Sequence, residues 1–132
     1  MQYSEGSKFL KKEAKITMNK VIAECVKRLE DIASRMESQD LDDLYSSGYN
    51  EAIFCINDGI NDRIDYLQEA YSDDSDDVAL YCCKEEITSL LKILKECAEE
   101  GYADEFKKGF SDAVDKFIDL IQPTIKWLNN YN

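Results

Sequence analysis

The side chains that could do chemistry in this sequence are carboxylates and thiols. The chain contains 28 aspartates and glutamates, five cysteines and no histidine. Without histidine it lacks the commonest general base, the usual serine or cysteine triads and most zinc and copper sites. The phosphate-binding motifs G-x-G-x-x-G and G-x-x-x-x-G-K-[ST] are also absent. Carboxylate chemistry with Mg²⁺ or Ca²⁺ is what remains.

One set of carboxylates has a spacing that could hold a metal ion. Glu96-x-x-Glu99 is followed, after twelve residues, by Asp112-x-x-Asp115. This arrangement is similar to the E-x-x-E…E-x-x-D pattern of the all-helical MazG-like nucleotide pyrophosphatases, with Asp112 in place of a glutamate. The resemblance implies Mg²⁺ held between facing helices against substrate phosphates. An acid-rich chain also produces such spacings by chance, so we expect solvated helix faces here, no enzymatic activity, no cofactor and no metal.

The most unusual feature of the sequence is the position of its net charge of −12. Residues 36–77 contain thirteen acids and a single base, Arg63, whereas residues 1–35 are basic overall. At about 100° per helical residue, five of these acids form one stripe opposite an apolar seam. The stripe consists of Glu51, Asp58, Asp62, Asp65 and Glu69, and the segment SDDSDD extends it flexibly with Asp73, Asp74, Asp76 and Asp77.

Two interpretations of this stripe stay open. It could only keep the protein soluble and monomeric, or it could meet a basic surface, because a field of one sign steers association with an oppositely charged partner. Proteins that hold nucleic acid line their grooves with Lys and Arg, and a rigid row of carboxylates could compete for that lining. Direct nucleic-acid binding is disfavoured, since the basic patch at Lys8, Lys11, Lys12 and Lys15 is short.

A small, acidic, histidine-free helical chain with the segment GYNEAI, Gly48 to Ile53, resembles many short phage and prophage proteins. Anti-CRISPR and other anti-defence inhibitors of that group are similar in size and charge. The resemblance implies a non-enzymatic inhibitor that occupies the nucleic-acid groove of a host protein, such as a CRISPR effector nuclease, in the bacterial cytoplasm. A further alternative is a self-assembling structural or adaptor protein that buries Trp127, Leu128 and Tyr131 at a symmetric interface, so a homodimer also stays open.

The cysteines are expected to be reduced packing residues. They form no C-x-x-C pair and no zinc signature, and most fall on predicted apolar helix faces. This pattern is typical of a reducing cytoplasm. The N-terminal residues lack the apolar core of a signal peptide and no apolar run has the length of a membrane span, so we expect no membrane partner.

Helices must position these side chains. One proline and five glycines are few for a many-turned β protein, and apolar residues recur at spacings of three and four. The pattern predicts one all-α domain over 1–132, an antiparallel four-helix bundle-like fold with a short C-terminal helical extension. The expected helices cover about 7–37, 41–71, 77–100 and 103–121, and Pro123 kinks or ends the fourth before a last piece at 123–130.

Two nine-residue segments of the predicted helices echo each other. YSSGYNEAI (Tyr45 to Ile53) and FKKGFSDAV (Phe106 to Val114) share the pattern aromatic-x-x-Gly-aromatic-x-acid-Ala-aliphatic. In each segment the glycine and the alanine lie four residues apart, on a helix face that also carries two aromatic rings. We therefore predict that the second and fourth helices approach closely at these glycines. Whether the two segments descend from a duplicated helical hairpin stays open.

Overall fold

The computed structural model describes residues 19–70, 75–100 and 103–131, which form four helices. They are α1 (Lys20–Arg35), α2 (Leu44–Ala70), α3 (Asp76–Ala98) and α4 (Asp104–Asn129). Each helix contacts the other three, and the described part of the chain contains no strand. The predicted all-α bundle is therefore confirmed. Residues 7–18 of the predicted first helix lie outside the described residues. None of the helices in these ranges combines the length and the apolar character needed to cross a bilayer.

The starts of α1 and α3 are set by capping side chains. Asn19 accepts hydrogen bonds from two backbone N–H groups in the first turn of α1, at 2.7 and 3.4 Å. Ser75 accepts one from the backbone N–H of Val78 at 3.4 Å. Two acids follow in the first turn of α3, Asp76 and Asp77, where the helix dipole favours negative charge.

The second helix begins later than predicted, at Leu44. Asp43 precedes it and accepts a hydrogen bond from the backbone N–H of Ser46 at 2.7 Å, which lowers the pKa of the Asp43 carboxyl. The chain before this point is held by hydrogen bonds to a side chain of the helix. The Gln39 backbone donates to the Asn50 side chain at 2.7 Å and accepts from it at 2.9 Å. These two hydrogen bonds tie the segment before α2 to the helix itself.

Of the two outcomes predicted at Pro123, a kink or an end, the end is wrong, because α4 runs through this residue from Asp104 to Asn129. The expected C-terminal extension is thus the last two turns of α4. Proline removes one N–H donor and crowds the carbonyl four residues earlier, which costs least where that carbonyl can reach water. Pro123 is exposed. On the opposite side, Thr124 and Leu128 are almost completely buried and keep the helix packed beyond the proline.

The closest approach between helices joins α2 to α4. A Cβ atom added at Gly48 would overlap the backbone carbonyl of Phe106, and one added at Gly109 would overlap the backbone carbonyl of Tyr45. Each glycine therefore contacts the first aromatic residue of the other echo segment, in an antiparallel arrangement. The predicted close approach is confirmed, and only glycine allows it at either position.

The far end of α4 packs against α1. The guanidinium of Arg28 lies 4.7 Å from the centre of the Trp127 ring, a distance typical of cation–π interactions. Trp127 in turn meets the Tyr131 ring edge to face at 5.8 Å between centroids. Leu128 is 1% exposed. Of the three residues of the expected symmetric interface, Leu128 is therefore buried within this chain, whereas Trp127 and Tyr131 are half-buried.

Candidate protein-binding surface

The predicted acidic stripe lies on the exposed face of α2. The five carboxylates, called the acidic row from here on, are Glu51, Asp58, Asp62, Asp65 and Glu69, and all are exposed. The opposite face carries the buried residues Tyr49, Ala52, Ile53, Ile56, Ile60 and Leu67. At about 100° per residue the two sets are on opposite sides of the helix axis. The row therefore faces away from the core along about five turns of α2.

The single base of α2 does not neutralise the acidic row. Arg63 turns towards α3, where its Nε lies 3.7 Å from a carboxylate oxygen of Glu86, and its side chain is only 17% exposed. It also donates to the Glu86 backbone carbonyl and to the Ser89 hydroxyl, each at 3.4 Å. Within residues 19–70, 75–100 and 103–131, no salt bridge reaches a carboxylate of the row. Its negative charge is not offset by ion pairs in that part of the chain.

The acidic extension beyond α2 differs from the prediction. Asp73 and Asp74 lie outside the described residues. Asp76 was expected in a flexible segment, and Asp77 was expected at the boundary between that segment and the helix predicted from about residue 77. Both belong to the first turn of α3. The Asp76 carboxylate accepts a hydrogen bond from the Asn19 side chain at 3.1 Å and lies 3.5 Å from the Lys20 ammonium. Its charge raises the pKa of Lys20. Asp76 thus ties α3 to the start of α1, while Asp77 is exposed.

A groove between α2 and α3 borders the acidic row. This α2–α3 groove has a volume of about 250 Å³ and is lined from α2 by Phe54, Cys55 and Gly59 and from α3 by Leu90, Ile93, Leu94 and Cys97. Asp58 and Asp62 of the row and the side chain of Arg63 complete its lining. Phe54 is 66% exposed and Ile93 is 46% exposed. The structure therefore places an open apolar surface directly beside the predicted carboxylates.

Sequence reasoning missed this groove. Phe54 and Ile93 fall outside the apolar seams of their helices, and only the packing of α2 on α3 brings them to one surface. A signal was present at Phe54, which is a large apolar residue outside the apolar seam of its helix. Such a residue has no partner in the core of its own chain.

The four carboxylates of the pyrophosphatase-like motif are not brought to one site. Glu99 and Asp115 line a cleft beside α3 and α4, and Glu99 also lines a neighbouring groove with Glu96, which does not line the first cleft. Asp112 turns to α2, where it accepts a hydrogen bond from the Tyr45 hydroxyl at 2.6 Å. Among the described residues, no group of three His, Cys, Asp or Glu side chains is placed to hold a metal ion. The geometry that this resemblance implied is not formed there.

The hydrogen bond between Tyr45 and Asp112 joins α2 to α4 beside the glycine contact. The acceptor carboxylate is the main reason that the pKa of Tyr45 is raised to about 12. A phenol that donates to a carboxylate resists ionisation because two negative charges would then face each other. Asp112 therefore has a structural partner, in agreement with its place on the packed side of α4.

The thiols of the described helices fall into two groups. Cys25, Cys82 and Cys83 are buried, whereas Cys55 and Cys97 are half-buried and line the α2–α3 groove. Burial raises the pKa of the Cys55 thiol, and a hydrogen bond with Cys25 raises that of Cys83. Thiols with raised pKa values are poor nucleophiles at neutral pH, as expected of packing residues.

Comparison of the chain with protein-family models, with curated proteins and with solved structures gave no significant match.

Proposed function

We propose that this protein is a non-enzymatic binding protein whose acidic row docks against a basic surface of another protein. The observation that supports this most directly is the combination of five exposed carboxylates on one face of α2 with a base, Arg63, that is held by α3 instead. A surface of this kind raises the association rate with a strongly positive partner.

The energetics of α2 support a binding role over simple solubility. Successive carboxylates such as Asp58, Asp62 and Asp65 are spaced four and three residues apart, or about 4.5–6 Å along the helix axis. Like charges at these spacings destabilise a helix by a few tenths of a kcal/mol per pair. Interleaved lysines would keep the surface soluble without this cost. A row made only of carboxylates is favoured where a cationic partner offsets the repulsion between them.

The partner that fits best is a nucleic-acid-handling enzyme, because its binding groove is lined with Lys and Arg for phosphates. A rigid row of carboxylates would compete with nucleic acid for the same side chains. An inhibitor of the anti-CRISPR or anti-defence type is the specific form of this proposal, and its size and its concentrated negative charge are consistent with that form. The proposal does not include direct binding of nucleic acid by this chain.

The proposal is tested by identifying and then perturbing the partner complex. Proteins retained from a bacterial lysate at low salt and released at high salt would be purified, and their affinities measured by calorimetry. We expect affinity to fall steeply as the Debye length shortens from about 10 Å at 0.1 M salt to about 3 Å at 1 M. The double variant Asp62→Lys with Asp65→Lys should weaken binding about tenfold or more.

The matched control is Asp115→Lys with Asp119→Lys, two exposed residues of α4 that change the net charge equally. It should retain affinity. In the α2 variant, one new lysine would lie four residues after Asp58 and the other four residues before Glu69, and such pairs stabilise helices by about 0.2–0.5 kcal/mol each. Thermal unfolding should therefore show an unchanged or raised midpoint alongside the weaker binding. Equal affinities of the two variants would overturn the proposal.

A further inference from the structure

We infer that the α2–α3 groove receives an amphipathic basic helix of the partner. An apolar side chain of that helix lies between Phe54 and Ile93, and its Lys or Arg side chains pair with Asp58 and Asp62. The inference rests on the proposed function and specifies the chemistry of the partner segment.

The apolar part of the argument is the exposure of two large side chains at one groove. Phe54 is 66% exposed and Ile93 is 46% exposed, although both are hydrophobic. The buried side chains of Leu90 and Leu94 lie in the same lining. Exposed apolar surface rimmed by charge is typical of interaction sites, and aromatic residues in such places contribute much of the binding energy.

The length of the groove fits a helix. Its α2 lining extends from Phe54 to Arg63, which is about 14 Å at 1.5 Å per residue, or between two and three turns of an incoming helix. Asp58 and Asp62 are one turn apart, the same separation as cations four residues apart on the incoming helix. Helices that bind grooves in this way place apolar anchors at i, i+3 or i+4 and i+7.

The negative charge beside the α2–α3 groove indicates which kind of ligand the groove can bind. A second copy of this chain would bring another acidic row against Asp58 and Asp62, and each copy has a net charge of −12. Nucleic acid and anionic lipid surfaces would be repelled for the same reason. Arg63, the base on the rim, is already held by Glu86 and Ser89. A cationic segment with apolar anchors complements both the apolar lining of the groove and the carboxylates of Asp58 and Asp62 at its edge.

The test uses synthetic helical peptides and the full chain. The probe is an 18-residue peptide of Ala, Lys and Arg with Leu at positions i, i+4 and i+7, and the reference peptide has Ser in place of each Leu. Fluorescence anisotropy at fixed salt gives both affinities. We expect the double variant Phe54→Ser with Ile93→Ser to weaken binding of the Leu peptide about tenfold or more. Its binding of the Ser peptide should be unchanged.

The matched control is Tyr81→Ser, an aromatic residue of α3 that is 64% exposed and does not line the groove. It should bind both peptides as the unaltered chain does. Because all three substituted side chains are exposed, circular dichroism and thermal unfolding should show folded variants.

A second readout locates the bound peptide without substitutions. Cys55 and Cys97 line the groove and are half-buried, whereas Cys25, Cys82 and Cys83 are buried. The Leu peptide should slow alkylation of Cys55 and Cys97 by iodoacetamide severalfold, measured by peptide mass spectrometry. The buried cysteines serve as the internal reference.

The outcomes separate the inference from the function on which it rests. If the groove variant binds the Leu peptide normally, or if Cys55 and Cys97 are not protected, the inference is overturned while the acidic row stands on its own test. If the variant Asp62→Lys with Asp65→Lys retains its affinity for the partner protein while the groove variant loses its affinity for the Leu peptide, the proposed function fails and the groove stands. Sedimentation that shows a concentration-dependent dimer, lost in the groove variant, would assign this surface to a second copy and overturn the inference.

Discussion

The two sides of α2 are packed in different ways. Towards α4, Gly48 and Gly109 bring backbone against backbone, so that not even a methyl group fits between the helices. Towards α3, a Cβ atom added at Gly59 would meet only the end of the Leu90 side chain, and the α2–α3 groove remains open beside it. One contact is fixed by main-chain geometry and the other by side chains that can change rotamer.

This difference indicates why the candidate binding surface lies on the α3 side. A backbone contact leaves no room for adjustment, since protein interiors are close-packed and resist small displacements. A boundary made of side-chain ends can adapt to a ligand at lower cost. The α2–α4 pair therefore supplies a rigid support, and the α2–α3 groove supplies the adaptable surface.

The largest effect that tests this comparison is expected at the α2–α4 contact. Gly48→Ala or Gly109→Ala should each lower the free energy of unfolding by about 2–3 kcal/mol, because the added methyl forces two backbones apart. The same change in an exposed helix would stabilise by about 1 kcal/mol. Urea unfolding followed by circular dichroism measures the difference. A variant as stable as the original chain would show that the contact is not rigid.

The fold was largely predictable because its signals are local and periodic. Spacings of three and four gave the helices, and the glycine echo identified which two helices approach closely. The start of α2 at Leu44 was not predictable, since the segment before it is held by a contact of Gln39 with Asn50, eleven residues away in sequence. Nor was the continuation of α4 through Pro123, which depends on the exposure of that residue in the folded chain.

The second effect concerns the hydrogen bond that crosses the α2–α4 contact. Asp112→Asn should lower the pKa of Tyr45 from about 12 towards its ordinary value of 10.0, because the negative charge facing the phenol is removed. Tyrosinate absorbance, taken as the difference from a Tyr45→Phe chain, measures this pKa.

The same shift predicts a pH dependence of stability. The folded-state pKa of Tyr45 lies above its unfolded value, so its contribution to stability is fully present below pH 10.0 and is lost as pH rises through about 12. The unaltered chain should therefore lose more stability over this range than Tyr45→Phe. Parallel losses in the two chains would contradict the assigned hydrogen bond.

The smallest effect is expected on the α3 side of α2. Gly59→Ala should change the free energy of unfolding by less than about 1 kcal/mol, because a displaced Leu90 side chain offsets the gain in helix propensity. The measurement is the same urea titration. A loss as large as that of Gly48→Ala would mean that the two sides of α2 are equally rigid, and the contrast between them would no longer hold.

The acidic row and the groove differ in how far the sequence reveals them. The row follows from counting about 100° per residue along one helix, so every member could be named in advance. The groove needs the register of α2 against α3, which brings Phe54 and Ile93 together. A pattern within one helix cannot provide that register. Asp76 shows the same limit, since its pairing with Lys20 links two helices.

The uninterrupted course of α4 beyond Pro123 gives this protein an internal optical reporter. Trp127 is the sole tryptophan of the chain, and it sits where the guanidinium of Arg28 covers its ring. Its fluorescence should respond when α1 separates from the end of α4 and water reaches the indole. Emission spectra would then follow the detachment of one helix, while far-ultraviolet ellipticity records the melting of all four, so unequal midpoints would reveal stepwise disassembly.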